Sequence, residues 1–318
     1  MRAIFVVGIR MSIKNDRIRP HSSEYFGKER DFFWNPDFVE LLARRLDLQN
    51  VKRAVDVGCG IGHWSALIYP HLAAGADLVG VDREPSHVAD YFRRLHAVVA
   101  DPARIEALVG NASGLPLPDR IFDLATCQTL LLHLQNPEEA LEEMIRITKP
   151  GGLVLCVEPN NLVARLPFSG LMGEKPPERL IRLSEMAWRY VLGRARLGKG
   201  AEFIGEQLPG MFARLGLQDV TVWLADKAHH SLPPYSSEGE VAASEARERW
   251  RAEGVGPYDR EELRANVIAG GGSEAFFEAA WRDYLAEDRE TSEACNEQRW
   301  HAAGGTLFYI IAGRRPTS

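Results

Sequence analysis

The residues with the most chemical capacity lie between Arg53 and Asp82, in R-A-V-D-V-G-C-G-I-G-H-W and then L-V-G-V-D. Gly58, Gly60 and Gly62 carry no Cβ, so backbone N–H groups beside them can approach a ligand closely where a helix begins. Asp82 closes the next apolar run, where a carboxylate can accept from ribose hydroxyls. Two nucleotide-type cofactor plans use such parts, and glycine spacing separates them. The dinucleotide fingerprint G-x-G-x-x-G needs its third glycine at position 63, which here is His63. The chain reads D-x-G-x-G-x-G from Asp56 instead. Nicotinamide chemistry is therefore disfavoured.

The elements that must hold these residues follow from periodicity. Ala54, Val55 and Val57 form a buried strand, and Trp64, Leu67, Ile68, His71 and Leu72 recur at helical spacing. Leu78 to Val81 is a second strand. Pro85 to His96 is a helix with Val88, Tyr91, Phe92 and Leu95 inward, and Ile105, Ala107 and Val109 alternate as a third strand. Phe122 to Cys127 is the fourth. Asn136-Pro137-Glu138-Glu139 starts a helix that Lys149-Pro150-Gly151-Gly152 stops, before a fifth strand from Leu153 to Val157. Such alternation argues an α/β fold with a parallel sheet. Further on, Gln207 to Leu217 reads as a helix, Val220, Val222 and Leu224 as a strand, and Thr306 to Ala312 as its partner.

The D-x-G-x-G-x-G run, the G-L-P-L-P-D-R-I-F-D of Gly114 to Asp123, and the succession of helix, K-P-G-G and buried strand resemble the class I S-adenosylmethionine-dependent methyltransferases. The similarity is closest to the small-molecule and quinone-biosynthesis types, and covers about Val51 to Asn161 plus the last helix and strands. It implies a Rossmann-like seven-stranded, mostly parallel sheet with helices on both faces and the last strand antiparallel. It implies S-adenosyl-L-methionine as cofactor and methyl transfer to a small molecule, with the acceptor atom (O, N or C) left open. By matching positions, Gly58 and Gly60 give the backbone approach and Asp56 organises the loop and the amino-acid end. Asp82 holds the ribose, Asn111 and Ala112 the adenine, and Gln128 the methionine side, with Cys59 and Arg83 beside them. Relatives usually carry Asp where this chain has Asn111, which still accepts through its carbonyl oxygen.

For catalysis the sequence offers Glu158, ending the fifth strand in V-E-P-N-N, as a base or a substrate-orienting group. His133 is the second candidate, as a base or a helix-start histidine. Tyr25, Trp34, Asn161 and His229 are expected around the substrate, although the aromatics of the N-terminal segment equally suit packing. The arginines at 179, 182, 189, 194 and 196 read as a solvated helix face, or as a site for an anionic substrate or RNA backbone.

Organisation follows as an N-terminal cover (1–50), a cofactor half (51–160), a helical lid (161–202), a core helix and strand (203–226), a second helical insertion (227–303) and a final strand with tail (304–318). Insertions near the carboxyl edge of a sheet can roof a site; the alternative duty is a dimer interface. With 318 residues and a formal charge of −6, there is no global basic field, which argues against nucleic acid as partner. Four cysteines without C-x-x-C spacing suit a reducing compartment, and a cytoplasmic monomer or homodimer is expected. His229-His230 lacks further ligands at metal spacing, so no metal is expected. Ile4 to Ile9 is too short to span a membrane, and Met11 is an alternative start. A cofactor-binding sensor or assembly partner without turnover is the competing class, with RNA or protein methylation a further one.

Overall fold

Apolar runs separated by capped helices assemble, in a computed structural model, into one sheet clothed on both faces. The structure describes residues 23–99, 101–166, 169–305 and 307–317. The Ile4 to Ile9 run, Met11, Pro167 and the first residue of the expected last strand, Thr306, lie outside them. Helix α1 (Pro36–Leu46) has proline in its first turn and buries Phe38, Val39, Leu42 and Leu46. There follow β1 (Arg53–Val57), α2 (His63–Ile68), β2 (Asp77–Asp82), α3 (Pro85–Val98), β3 (Ile105–Val109), β4 (Phe122–Gln128), α4 (Pro137–Ile147) and β5 (Thr148–Asn160). Next come α5 (Asn161–Arg165), α6 (Pro177–Arg196), α7 (Leu208–Arg214), β6 (Gln218–Leu224) and β7 (His229–Ser231). The chain ends with α8 (Glu238–Glu253), α9 (Arg260–Ala269), α10 (Glu274–Asn296), β8 (Ala302–Gly304) and β9 (Leu307–Arg314).

The seven strands run in the order β3-β2-β1-β4-β5-β9-β6. Strand β9 is antiparallel to both β5 and β6, while β1 to β5 pair in parallel. Order reverses between β1 and β4, which places a crevice at their carboxyl ends, where open α/β sheets bind ligands. One apolar layer packs α1, α2 and α3 onto the sheet, and the other packs α4 and α7 onto its opposite face.

A third cluster lies off the sheet, formed by Leu162 of α5, Leu183 and Val191 of α6, Val267 of α9 and Phe277 of α10. Close approach of α6 and α9 depends on two glycines. A Cβ at Gly193 would lie 1.7 Å from the Asn266 carbonyl oxygen, and one at Gly270 would lie 1.9 Å from that of Arg189.

Several expectations need correction. Phe92 is exposed and packs on His96, because α3 turns only Tyr91 and Leu95 squarely into the core. Val222 and Leu224 are also exposed: β6 is an edge strand, its pairing is interrupted between Gln218 and Thr221, and Trp223 supplies the inward contact. The ribbon of β7 and β8 at the root of the second insertion was not foreseen. Nor is the arginine row a free solvated face. Arg179 pairs with Glu290 and Arg182 with Asp283, tying α6 to α10, while Arg194 meets Glu202 and Glu262. Among the described residues no helix is long and apolar enough to cross a membrane, and no group of three or more His, Cys, Asp or Glu is arranged to hold a metal ion.

Candidate active site

The turn after β1 bends back through three left-handed glycines, Gly58 (φ 67°), Gly60 (φ 51°) and Gly62 (φ 88°). At Gly62 a Cβ would stand 2.5 Å from Leu95, so the turn also sets how closely α2 meets α3. Asp56, on β1 beneath this turn, is buried; its Oδ2 accepts from Ser65 at 2.6 Å while Oδ1 has no partner among the described residues. Burial pushes its carboxyl up to about 7, against the pull of the Ser65 bond and with the help of neighbouring Asp82. A buried acceptor left open at a glycine turn is built to meet a donor.

Asp82, at the carboxyl end of β2, accepts from the N–H groups of Gly60 (2.9 Å) and Glu84 (2.9 Å), and His87 Nδ1 stands 3.4 Å away. Burial alone would raise this carboxyl, but the bonds from His87, Glu84 and Gly60 hold it below the ordinary range. The adenine-side candidates follow β3, next to Asp82 on the same side of the crevice: Ala112 is buried, and Asn111 is exposed, its Oδ1 accepting from Ser113 N–H at 3.1 Å. Cys59 is buried in the turn and Arg83 is an exposed neighbour of Glu84. Gln128 ends β4, buried, with no partner for its carboxamide among the described residues.

Beside Gln128, Thr129 adopts φ 52°, an outlier for a β-branched side chain and a mark of stored strain. Three contacts hold it: its N–H donates to Val157 O, its hydroxyl donates to Gln128 O, and Arg30 donates to its Oγ1 at 3.2 Å. Burial lowers the Arg30 guanidinium to about 10. The segment carrying Arg30 covers the crevice. Phe26 lies against Gly60, where a Cβ would meet its ring at 3.1 Å, and edge-on to His87 at 4.9 Å.

Glu158 lies where topology puts it, at the end of β5, but its carboxylate is fully buried and occupied. It accepts from the N–H groups of Leu130 (2.8 Å), Leu131 (2.9 Å) and Leu132 (3.3 Å), the backbone of the turn after Thr129. Burial pushes it up to about 7 despite these bonds. A group so engaged is arranged to anchor the loop rather than to take a substrate proton. His133 is half-buried in the same turn, Leu131–His133. Asn161 opens α5, its N–H donating to Glu202 O at 2.7 Å.

Above this edge, between α5, α6 and the second insertion, lies a cavity of about 360 Å³. Tyr190, Trp250, Tyr258 and Tyr284 wall it, with Arg165 and Glu287 among its charged neighbours. Arg165 lies 4.0 Å over the Tyr190 ring and pairs with Glu202 at 2.9 Å. Tyr25 packs edge-on to Trp250 at 5.4 Å. The adjacent Phe26 faces the glycine turn, so this segment touches both the crevice and the roof. Two substrate candidates stand elsewhere. Trp34 is core, packed among Phe38, Trp64 and Phe308, and His229 lies edge-on to Phe33 in β7, outside the cavity wall. Sequence reading missed Phe26, Arg30, His87, Thr129 and Arg165. Only the aromatic density around Phe26 signalled any of them, because the others act through contacts between distant segments.

A family model described as a methyltransferase domain matches residues 28–222, more than half of the chain. A demethylmenaquinone methyltransferase of Shouchella clausii is 28% identical over 202 residues, spanning 59% of this chain and 78% of that protein. One from Geobacillus kaustophilus is 30% identical over 129 residues, 41% of this chain and only 53% of its own length. In three dimensions, a Bacillus halodurans C-125 protein solved as a candidate methyltransferase covers 88% of this chain and all of that one, at TM-score 0.52 and 15% identity, a likeness of fold. With its sheet order, glycine turn and family match together, the chain belongs to the methyltransferase-domain family and is a class I S-adenosylmethionine-dependent methyltransferase.

Proposed function

We propose that the chain methylates a small-molecule acceptor seated in the roof cavity, with the cofactor in the crevice beneath. The observation that carries this reading is Asp56 Oδ1, a buried carboxyl oxygen with no hydrogen-bond partner among the described residues, beside three left-handed glycines. An ammonium group would satisfy that oxygen. Asp82, held ionised by its bonds, would accept from ribose hydroxyls; Ala112 and Asn111 would border the adenine, and Gln128 would meet the methionine side. When bound, the cofactor supplies a sulfonium-borne methyl group, already attached to a good leaving group.

What remains for the protein is alignment and exclusion of water. Glu158 fixes the backbone of the Leu130 to Leu132 turn, and with it the strained Thr129. Tyr25 and Phe26 close the gap between crevice and cavity. The lid and cover roles of 161–202 and 1–50 are part of this proposal. A panel of acceptors decides which atom takes the methyl group.

The test couples calorimetry to turnover. S-adenosylhomocysteine should bind, and label from methyl-tritiated S-adenosylmethionine should pass to a member of a panel of phenols, amines and carbon acids. Binding without transfer to any acceptor would favour a cofactor sensor.

A further inference from the structure

We propose that the roof cavity selects a planar aromatic acceptor bearing one anionic group, with Arg247 as the residue that reads the charge. The inference rests on the cavity being the acceptor site and specifies what that site takes. Size and shape come first. About 360 Å³ suits a one- or two-ring molecule rather than a long chain or a macromolecular segment. Tyr190, Trp250, Tyr258 and Tyr284 bring aromatic faces from α6, α8, the Gly256–Tyr258 turn and α10. Aromatic walls favour flat rings in offset or edge contact. Trp250 is held in place, its Nε1 donating to Glu24 O at 2.8 Å, so the wall is pre-set.

Charge bookkeeping gives the sign. Three charged side chains line the cavity: Arg165, Arg247 and Glu287. Arg165 is neutralised by Glu202 at 2.9 Å, and Glu287 by Lys175 at 3.1 Å. Arg247 forms no ion pair or hydrogen bond with any described residue. The hydroxyls of Tyr190 and Tyr284 are further donors, with no hydrogen-bond partner among the described residues; Glu287 Oε2 also accepts no hydrogen bond among them, but its charge is met by Lys175. Burial raises the pKa of both tyrosines, which keeps them protonated and able to donate. An acceptor with a carboxylate or similar anion would supply the missing partner, whereas a cationic acceptor would meet an unopposed guanidinium. A charge-assisted Arg–carboxylate bond is among the stronger polar contacts, and here it would form at the mouth of an apolar wall.

Three probes of equal ring size decide the matter: 1-hydroxy-2-naphthoate, 2-naphthol and a naphthyl-trimethylammonium salt. Each is titrated by tryptophan fluorescence and calorimetry into the intact chain, with and without S-adenosylhomocysteine. The naphthoate should bind about tenfold or more tighter than the naphthol. Arg247→Gln should erase that preference while leaving naphthol and S-adenosylhomocysteine affinities unchanged. Arg247 lies on the exposed face of α8, so the substitution does not threaten folding. Equal or tighter binding of the neutral or cationic probe, no binding of any probe, or a preference that survives Arg247→Gln would overturn the inference. Failure of S-adenosylhomocysteine to bind would instead sink the methyl-transfer reading, and the probe titrations would still decide the anion.

Discussion

The crevice and the roof are built from different materials. In the crevice the working parts are backbone: three left-handed glycines, N–H groups that orient Asp82, and a turn after β4 pinned by Glu158. In the roof they are side chains collected from α5, α6, α8 and α10, held by ion pairs such as Arg179–Glu290 and Arg251–Asp288. A backbone-built site tolerates few substitutions, because a left-handed turn and a buried carboxylate admit few alternatives. A side-chain-built site can be re-cut one residue at a time without disturbing the sheet. On the proposed function, the fixed chemistry would thus be separated from the variable specificity.

The sharpest way to break this comparison is at Glu158. If it anchors the crevice, Glu158→Ala strands three N–H groups, those of Leu131 and Leu132 buried and that of Leu130 partly so, each buried one costing about 1–3 kcal/mol. The chain should lose several kcal/mol of unfolding free energy by denaturant titration. Glu158→Gln keeps one acceptor oxygen and should lose less, with turnover falling in step with loop order rather than with pH. If instead Glu158→Gln is as stable as the parent, binds S-adenosylhomocysteine normally and has lost turnover by about two orders of magnitude, the residue is a base after all.

A smaller effect is expected at Asp82. Its carboxylate is held ionised and shaped by Gly60, Glu84 and His87. Asp82→Ala should weaken S-adenosylhomocysteine binding at least about tenfold, the loss of one charge-assisted bond or more. Probe binding in the roof should stay within about twofold if the two regions are built independently. Unchanged cofactor affinity would remove Asp82 from the ribose role.

The same division explains what could be read beforehand. Asp56, the glycines and Asp82 share one short stretch, so spacing exposed the parts of the crevice, while strand–helix alternation and the family resemblance supplied the sheet around it. The Asn136-Pro137 start located α4 in the same local way, whereas the K-P-G-G run expected to stop it lies inside β5, which already begins at Thr148 rather than at Leu153. Nothing local could reveal that Arg30 reaches Thr129, since 99 residues separate them. The cavity was likewise invisible: Tyr190 lies on α6 and Tyr284 on α10, far apart in sequence, and only the fold brings both into one wall. Glu158 was placed correctly by topology, but its engagement with the turn could not be read, because burial and three backbone donors are tertiary facts. Trp34 sits two residues before an amphipathic helix, and that position already agreed with packing.

The last and smallest effect concerns the proton on Asp56. In the unliganded chain burial raises its pKa to about 7, so near neutrality and below it the carboxyl holds a proton. The sign for stability follows. A carboxyl raised in the folded state favours folding most at low pH, and that contribution is lost as pH climbs from about 4, the ordinary carboxyl value, through 7. Binding an ammonium-bearing ligand demands the opposite protonation state, because only the carboxylate gains from the charge. Below pH 7 the ligand must therefore expel a proton, and affinity should fall by up to about tenfold per pH unit, levelling off above 7. Calorimetry of S-adenosylhomocysteine at pH 6, in two buffers of different ionisation heat, reads the released proton directly. Asp56→Asn should abolish the release and flatten the pH profile, while roof probes bind as before. If the parent chain releases no proton at pH 6, Asp56 is not the partner of the ammonium, and its open oxygen must serve the turn alone.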